Sequence, residues 1–163
     1  MSTEFTIRQM TPTDLPRLKQ ITDLSFPWLL RFFANHSLRD KGQVLVCESQ
    51  EAIVGFAKLI EFTIGIDKYG CILWIAVHPD FRRKGFATAL ICAGTQGLKR
   101  DCAMTVFVSV QRKNKVALST FGKAGFEQVS FLLLWRLFRW RIFEFYSDIW
   151  FAPGEIVMRN QFI

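Results

Sequence analysis

The sequence lacks several features that would assign it to a class at once. Its four cysteines form no C-x-x-C pair and lie in apolar segments, which favours reduced core thiols over a metal site or disulfides. No stretch of about 20 nearly uncharged apolar residues is present, as a membrane-spanning helix requires. The first residues contain neither the basic region nor the apolar stretch of a secretory signal. These absences predict a cytoplasmic protein without a transmembrane segment or a metal site. The cysteines are Cys47, Cys71, Cys92 and Cys102.

The composition is that of a folded chain. Half of the 163 residues are hydrophobic and 15% are aromatic, which is enough apolar surface to offset chain entropy and to exclude a disordered protein. The length suits one compact core. With no linker or repeat along the chain, we expect a single domain over residues 1–163.

The net charge of +7 indicates an anionic partner. The whole excess lies in residues 82–115, which hold eight basic residues against the single acid Asp101, while the rest of the chain is neutral overall. Charge alone does not choose among nucleic acid, an anionic membrane and a phosphorylated ligand. It does indicate where the anion should bind.

The hydrophobic periodicity predicts a mixed α/β domain in the order β-α-α-β-β-β-α-β-α-β-β. The nearly continuous apolar run at 70–77 is typical of a central strand buried on both faces. Predicted strands cover residues 3–10, 43–48, 52–62, 70–77, 103–110, 126–134 and 155–159. Of the four predicted helices, the first starts at the capping segment 11–14 and the second starts after Pro27. The third and fourth helices cover residues 85–98 and 114–124.

A basic turn between a buried strand and a helix carries the most chemistry. Residues 77–88 combine a strand end, a proline, three cations, Gly85 and a helix start. Such a turn leaves backbone N–H groups unpaired at the positive end of the helix dipole, which suits phosphate oxygens. A side chain at Gly85 would block close approach of a ligand to the backbone. The plain alternative is a basic surface loop that precedes an ordinary helix.

Two motifs resemble the GNAT superfamily of N-acetyltransferases. Arg82-x-x-Gly85-x-Ala87 is similar to the acyl-CoA signature Q/R-x-x-G-x-G/A, and it follows a central strand. Downstream, Asn114-x-x-Ala117 and then Gly125-Phe126 resemble the motif N-x-x-A-x-x-x-Y-x-x-x-G-F. The resemblance implies the α/β (α+β) GNAT fold: a mixed, mostly antiparallel sheet of about seven strands flanked by about four helices, with strands 4 and 5 parallel and splayed.

The resemblance also implies acetyl-CoA as the acyl donor. Backbone groups of the central strand would bind the pantetheine arm, N–H groups of the basic turn would bind the pyrophosphate, and an asparagine would reach the cofactor from the far side. The expected cofactor-binding residues are Ile75, Ala76, Val77, Arg82, Arg83, Lys84, Gly85, Phe86, Ala87, Thr88 and Asn114.

The residues that usually move protons in this family are replaced. The motif tyrosine that serves as general acid is Phe121 here, and the two positions that often carry glutamate are Cys71 and Ser109. A phenyl ring has no proton to give, so the catalytic residues stay unknown from the sequence. Unranked substitutes for the base are Glu61, Asp67, Tyr69, Tyr146 and Asp148, whereas His78 is expected to point to solvent.

Two aromatic segments are candidates for binding the amine that would accept the acetyl group. Residues 24–28 with 32–35 resemble the F-P-W segment of the ribosomal-protein alanine N-acetyltransferases and of related archaeal enzymes that modify protein N-termini; the plain alternative is a proline loop with aromatic core anchors. Residues 135–146 mix aromatics with Arg and suit an apolar acceptor site, a homodimer contact, an extension of the core or an anionic surface. Nucleic acid is not expected as a partner.

The sequence therefore predicts an N-acetyltransferase that moves acetyl from acetyl-CoA to a primary amine, on a protein N-terminus or a small molecule, by direct attack. The alternative is a non-catalytic acyl-CoA-binding domain of the same fold, a sensor or scaffold, which the replacements at Cys71, Ser109 and Phe121 would suit.

Overall fold

The structure is a computed structural model that describes residues 4–101 and 103–162. Over these residues the chain forms seven strands and six α-helices. The strands are β1 (Thr6–Gln9), β2 (Gln43–Ser49), β3 (Ala52–Ile64), β4 (Asp67–Val77), β5 (Thr105–Gln111), β6 (Glu127–Gln128) and β7 (Glu155–Gln161). The helices are α1 (Leu15–Ser25), α2 (Trp28–Ser37), α3 (Phe86–Arg100), α4 (Lys115–Lys123), α5 (Phe131–Phe138) and α6 (Ile142–Asp148).

The strands form one sheet in the order β1-β2-β3-β4-β5-β7-β6. β2 is antiparallel to both β1 and β3, and β7 is antiparallel to both β5 and β6. β4 and β5 are parallel. The predicted mixed sheet of seven strands, with strands 4 and 5 parallel, is confirmed. The last strand of the chain lies between β5 and β6.

The parallel pairing of β4 with β5 is short. Gly70 pairs with Val106 and Cys71 with Phe107, whereas β5 pairs with β7 along its whole length. Both parallel strands continue beyond Cys71 and Phe107. The described parallel pairs therefore comprise two residues of each strand, and the splay of the two strands stays a prediction.

The strand predicted at 126–134 is wrong for most of its length. Only Glu127–Gln128 is strand, and Phe131 begins helix α5. Ser130 caps this helix, because its hydroxyl accepts a hydrogen bond of 3.2 Å from the Leu133 N–H. Leu134 and Phe138, one helical turn apart, are buried. The apolar run thus fits helical as well as strand periodicity, and α5 and α6 raise the helix number above the predicted four.

The chain divides into two compact units. The first comprises the residues up to Ile60 and Trp74–Gly94, and the second comprises Glu61–Leu73 and the residues from Thr95 onward. The core of the first unit is formed by apolar side chains of α1, β2, β3 and β4 and by Leu38, which follows α2. They are Leu18, Ile21, Leu38, Val44, Val46, Ile53, Phe56 and Ala76.

The first unit also contains a buried acid that begins its helical layer. Asp14 Oδ2 lies 2.7 Å from Arg8 Nη1 and accepts a 2.8 Å hydrogen bond from the Thr11 N–H. The Arg8 hydrogen bond, with those from Thr11, lowers the pKa of Asp14 to about 2. Sequence analysis predicted a helix start at this segment, and the short 3-10 turn Pro12–Asp14 leads directly into α1.

An aromatic cluster forms the centre of the second unit. The ring of Phe107 on β5 lies 4.8 Å from that of Phe145 and 6.0 Å from that of Phe138, and Tyr69 on β4 packs edge-on against Phe138 at 5.4 Å. Helices α5 and α6 therefore cover the face of β4 and β5 that carries Tyr69 and Phe107.

The prediction that all four cysteines lie in the core is wrong for Cys92. Cys47 and Cys71 are buried, but Cys92 is exposed on α3, because helical periodicity turns Leu90 and Ile91 inward and the next position outward. Cys102 lies outside the described residues. Among the described helices, none has both the length and the apolarity that crossing a bilayer requires.

Candidate functional site

The basic turn follows β4 in the first unit. The His78 N–H donates to the Val54 carbonyl at 2.8 Å, and a 3-10 turn, Pro79–Phe81, follows. The His78 side chain is only 14% exposed, its Nδ1 accepts from the Asp80 N–H at 3.3 Å, and its ring packs edge-on against Phe81. The expectation that His78 points to solvent is therefore wrong, because its ring is held by the turn that it begins.

Gly85 leaves open space where a ligand needs it. Its φ of 87° is a backbone conformation that residues with a side chain rarely adopt, and a Cβ built there would have no neighbour within 4 Å. The Ala89 N–H donates to the Gly85 carbonyl at 3.0 Å, which is the first turn of α3. Because the first N–H groups of a helix have no acceptor within it, those up to Thr88 are available to an anion.

The three cations of the turn differ in their surroundings. Arg82 Nε donates to the Val77 carbonyl at 3.1 Å, and its Nη2 lies 3.4 Å from Ser25 Oγ. Lys84 Nζ lies 5.2 Å from the centre of the Phe81 ring, within cation–π distance. Arg83 is exposed with a φ of 60°. Arg82 thus braces the end of β4, while the turn as a whole presents positive charge to solvent.

Backbone groups along the end of β4 alternate in direction. The His78 N–H points to β3, where its acceptor Val54 lies, and a Cβ on Gly55 of β3 would come within 2.8 Å of the Ala76 carbonyl. In a strand, neighbouring residues direct their backbone groups to opposite sides. The backbone groups of Ile75 and Val77 therefore point away from β3, and those of Ala76 point toward it.

Asn114, in the second unit, caps helix α4. Its Oδ1 accepts a hydrogen bond of 3.0 Å from the Ala117 N–H, and its own N–H donates to the Gln111 carbonyl at 2.8 Å. The side chain is exposed. The capping bond uses the amide oxygen and fixes the orientation of the amide nitrogen, which is the group that can donate to a ligand.

Positions that carry proton-transfer groups in similar sequences are apolar or paired here. Phe121 is 2% exposed and packs edge-on against Phe126 at 5.2 Å. Burial raises the pKa of the Cys71 thiol well above its usual value, and the charge of Glu155 adds to that shift. The Ser109 hydroxyl donates to Glu155 Oε2. The carboxylate of Glu155 therefore acts on two of these positions: it accepts the hydrogen bond of Ser109, and its charge affects the thiol of Cys71.

Sequence analysis missed Glu155. It is the first residue of a short late strand that follows Pro153-Gly154, and nothing in the local sequence says which strand it pairs with. The turn was the available signal, since Pro-Gly positions the next residue at a strand start. The neighbour, β5, is set by the sheet order.

The other candidate bases occupy separate surroundings within the second unit. Glu61 Oε2 lies 2.5 Å from Lys68 Nζ in an ion pair. Tyr69 and Tyr146 both have a pKa raised above its usual value, mainly by burial. Because a phenol with a raised pKa stays protonated at neutral pH, neither tyrosine accepts a proton readily.

The two aspartates among the candidate bases, Asp148 and Asp67, differ from each other in their surroundings. Desolvation by burial, with the nearby charge of Glu144, raises the pKa of Asp148 above its ordinary range. Asp67, the first residue of β4, is half-buried, and its charge contributes to the raised pKa of Tyr69.

The aromatic segment at 135–146 is helical. Phe138, Ile142 and Phe145 are buried in the second unit, so part of the segment extends the core. Trp140 is 81% exposed and Phe143 is 75% exposed. The outward side of the segment therefore carries exposed aromatic rings beside the exposed charges of Arg136, Arg139, Arg141 and Glu144.

The F-P-W segment lies between α1 and α2 in the first unit. Phe26 packs edge-on against Trp74 of β4 at 5.4 Å, and Pro27 precedes the first residue of α2. Trp28 and Phe32, one helical turn apart on α2, are exposed. Phe26 is thus a core anchor, while α2 presents an aromatic face.

Known proteins agree with this architecture. The profile of the acetyltransferase (GNAT) family matches residues 8–126. An N-alpha-acetyltransferase of Sulfurisphaera tokodaii is 28% identical over 79% of this chain and 84% of its own length. A [ribosomal protein bS18]-alanine N-acetyltransferase of Salmonella typhimurium is 27% identical over 77% of this chain and 82% of its own.

A solved structure is similar over nearly the whole fold. The PaiA N-acetyltransferase of Thermoplasma acidophilum, in complex with coenzyme A, matches 98% of this chain and 99% of its own, with a TM-score of 0.71 and 14% identity. The family profile covers both the basic turn and the motif that ends at Phe126. The chain belongs to the acetyltransferase (GNAT) family and is an N-acetyltransferase that transfers acetyl from acetyl-CoA to an amine.

Proposed function

We propose that the acceptor is the α-amine of a protein or peptide N-terminus. Two relatives that match more than three quarters of the chain are named for that reaction, one as an N-alpha-acetyltransferase and one for an alanine of ribosomal protein bS18. The F-P-W resemblance points the same way, and the exposed Trp28 and Phe32 of α2 offer apolar surface to a peptide. The non-catalytic alternative is not favoured.

The proposed binding of acetyl-CoA uses the residues predicted from the sequence. N–H groups from Arg83 to Thr88 would hold the pyrophosphate, because they lie at the start of α3 beside the open space at Gly85. Ile75 and Val77 would bond the pantetheine arm, since their backbone groups point away from β3. The Ala76 carbonyl points to β3, so Ala76 would contribute packing rather than a hydrogen bond.

The remaining predicted residues would act mainly through charge and shape. Arg82 is tied to the Val77 carbonyl, so it would add positive potential without leaving the turn. Arg83 and Lys84 are exposed cations beside the proposed phosphate site. Ala87 and Phe86 form the first turn of α3, and the Asn114 amide nitrogen would donate to the cofactor.

Acetyl-CoA supplies an acetyl group on a thioester, which an amine attacks directly. The chain must hold the thioester oxygen, and the backbone N–H of Val77 is the proposed donor for the charge that develops there. It must also remove the ammonium proton of the acceptor before attack. Phe121 cannot return a proton to the leaving thiolate, so we expect water to supply that proton.

Peptides with a free or a blocked N-terminus test the acceptor. We expect CoA release, and a mass increase of one acetyl group, only with peptides whose α-amine is free; a peptide with an acetylated N-terminus and a free Lys side chain is the matched control. Equal turnover of both peptides, or turnover of small amines alone, would refute an N-terminal acceptor.

Three further predictions stay predictions. They are one domain over residues 1–163, a cytoplasmic location, and a homodimer through residues 135–146. The exposed Trp140 and Phe143 support the homodimer, because apolar surface of this kind often marks a contact. We expect replacement of both by Ser to halve the mass found by sedimentation; a wild-type chain that sediments as a monomer would rule this contact out.

A further inference from the structure

The carboxylate of Glu155 is held by two donors at the start of β7. Its Oε2 accepts hydrogen bonds from Ser109 Oγ on β5 and, at 2.9 Å, from the Ala152 N–H. The Glu155 N–H donates back to the Ala152 carbonyl at 3.2 Å, and Gly154, with a φ of 88°, completes the turn. The half-buried carboxylate is therefore directed at β5 instead of being left to solvent.

Strand pairing puts Glu155, Ser109 and Cys71 on one face of the sheet. Glu155 pairs with Gln111, which lies two residues after Ser109, and Phe107, two residues before Ser109, pairs with Cys71. Paired residues, and residues two apart on a strand, share a face. The contribution of Glu155 to the raised pKa of the Cys71 thiol agrees with this placement.

The pair formed by Ser109 and Glu155 lies just past the point where the parallel ladder stops. Within the described residues of the second unit, the pairing of β4 with β5 ends at Cys71 and Phe107, and Ser109 is the next residue of β5 on that face. The rings of Phe107 and Phe145 cover the neighbouring part of the face. A half-buried hydroxyl and carboxylate thus sit beside an apolar wall.

We propose that Glu155, through the hydroxyl of Ser109, takes the proton that the acceptor amine must lose. The inference rests on the transfer of acetyl to an amine. The ammonium proton passes to Ser109 Oγ while the Ser109 proton passes to Glu155 Oε2, which leaves Ser109 unchanged and Glu155 protonated. The lone pair of the neutral amine then forms the C–N bond to the acetyl carbon, and the C=O electrons move to oxygen. When the C=O bond re-forms, the C–S bond breaks with its electrons on sulfur, and the nitrogen releases its second proton to water. Protonated Glu155 then releases its proton to water, and water protonates the thiolate.

A structural role alone would have Glu155 do no more than close the turn with Ala152. The two roles differ in how the loss of the carboxylate depends on pH. The α-amine of a peptide has a pKa of about 8, so it is mostly charged at pH 7 and mostly neutral at pH 9. A proton acceptor matters most while the amine is charged, whereas a weakened turn lowers the rate equally at both pH values.

The experiment compares Glu155→Gln with wild type and with Glu127→Gln, using a peptide with a free α-amine. Glu127 is the matched control, because it lies on β6 of the same unit and its carboxylate pairs with Arg159 at 2.9 Å. For Glu155→Gln we expect a loss of about 10²-fold or more in kcat at pH 7. The loss should shrink about tenfold at pH 9, and acetyl-CoA affinity by calorimetry should stay within twofold.

A rescue variant sharpens the test. The double variant Ser109→Glu with Glu155→Gln restores a carboxylate to the same face from β5, and we expect it to regain at least tenfold of the lost rate at pH 7. If Glu155→Gln fails to bind acetyl-CoA, Ser109→Ala takes its place, since it removes the hydroxyl and leaves the turn. The same pH-dependent loss is then expected.

Three outcomes separate failure of this proposal from failure of the activity. A Glu155→Gln enzyme as fast as wild type would overturn it. So would a loss of equal size at pH 7 and pH 9 with no gain in the double variant. Wild-type protein that binds acetyl-CoA and acetylates no amine would overturn acetyl transfer itself.

Discussion

Replacing Gly85 by Glu should abolish most acetyl-CoA binding while leaving the fold intact. A Cβ at this position would have no neighbour within 4 Å, so no steric clash is created within the described chain. The φ of 87° does carry a cost to folding, because a residue with a side chain in the left-handed region loses about 1–2 kcal/mol of stability. In a chain of this size, that cost lowers the melting temperature by about 2–8 °C.

The cost to binding is larger because the new side chain fills the proposed pyrophosphate site with negative charge. A carboxylate about 5 Å from a phosphate charge is repelled by about 1–3 kcal/mol, depending on how far solvent screens the pair. With two phosphate charges the loss reaches at least about 2 kcal/mol, or roughly thirtyfold in Kd. The volume of the side chain adds to this loss.

Calorimetric titration with acetyl-CoA measures the effect, and thermal melting checks the fold. Gly97→Glu is the matched control: it adds the same charge to the same helix, about three turns along α3, where a Cβ would also have no neighbour within 4 Å. Gly97→Glu should bind acetyl-CoA as wild type does. If folded Gly85→Glu retained wild-type affinity, the pyrophosphate would not lie at the start of α3.

Three other changes test the surrounding structure. Gly55→Ala should lower stability by about 1–3 kcal/mol and weaken acetyl-CoA binding, because its Cβ would come within 2.8 Å of the Ala76 carbonyl and displace the end of β4; unchanged urea midpoint and affinity would contradict this. Asp14→Asn should lower the free energy of unfolding by about 1–2 kcal/mol at neutral pH. Since the folded pKa of Asp14 is about 2, below its ordinary value of 3.8, that contribution is fully present above about pH 4 and disappears as pH falls through 2; a difference between variant and wild type that persisted at pH 2 would argue against it. Phe121→Tyr should keep the fold and raise kcat, since a phenol supplies the proton donor that a phenyl ring lacks; an unchanged kcat would mean that protonation of the thiolate by water does not limit the rate.

Local sequence signals predicted most of the elements that we propose to bind acetyl-CoA. Three signals act locally along the chain: the apolar run at 70–77 indicates a strand, the proline at 79 ends it, and the glycine at 85 precedes a helix. Because each depends only on nearby residues, β4, the basic turn and α3 follow the prediction closely. The stretch at 126–134 does not, because an apolar run without alternation fits a buried helix as well as a strand. There the capping hydroxyl of Ser130 and the burial of Leu134 and Phe138 favour the helix.

The side chain of His78 shows a different limit of the sequence. The turn was predicted from Val77-His78-Pro79, but the direction of the ring was not, since its contact with Phe81 depends on how tightly the 3-10 turn closes. The exposed Cys92 is similar. Its neighbours in the sequence are apolar, yet its exposure depends on which face of α3 is packed.

By itself the sequence determined the family, the donor and the region of positive charge, because each depends on residues close together along the chain: the motif around Gly85, the motif from Asn114 to Phe126, and the cations of residues 82–115. The tertiary structure alone decided where the missing carboxylate comes from. Glu155 reaches Ser109 only because β7, the last strand, pairs with β5 ahead of β6. Pairing of strands distant in sequence is set by packing of the whole sheet, which no local pattern records.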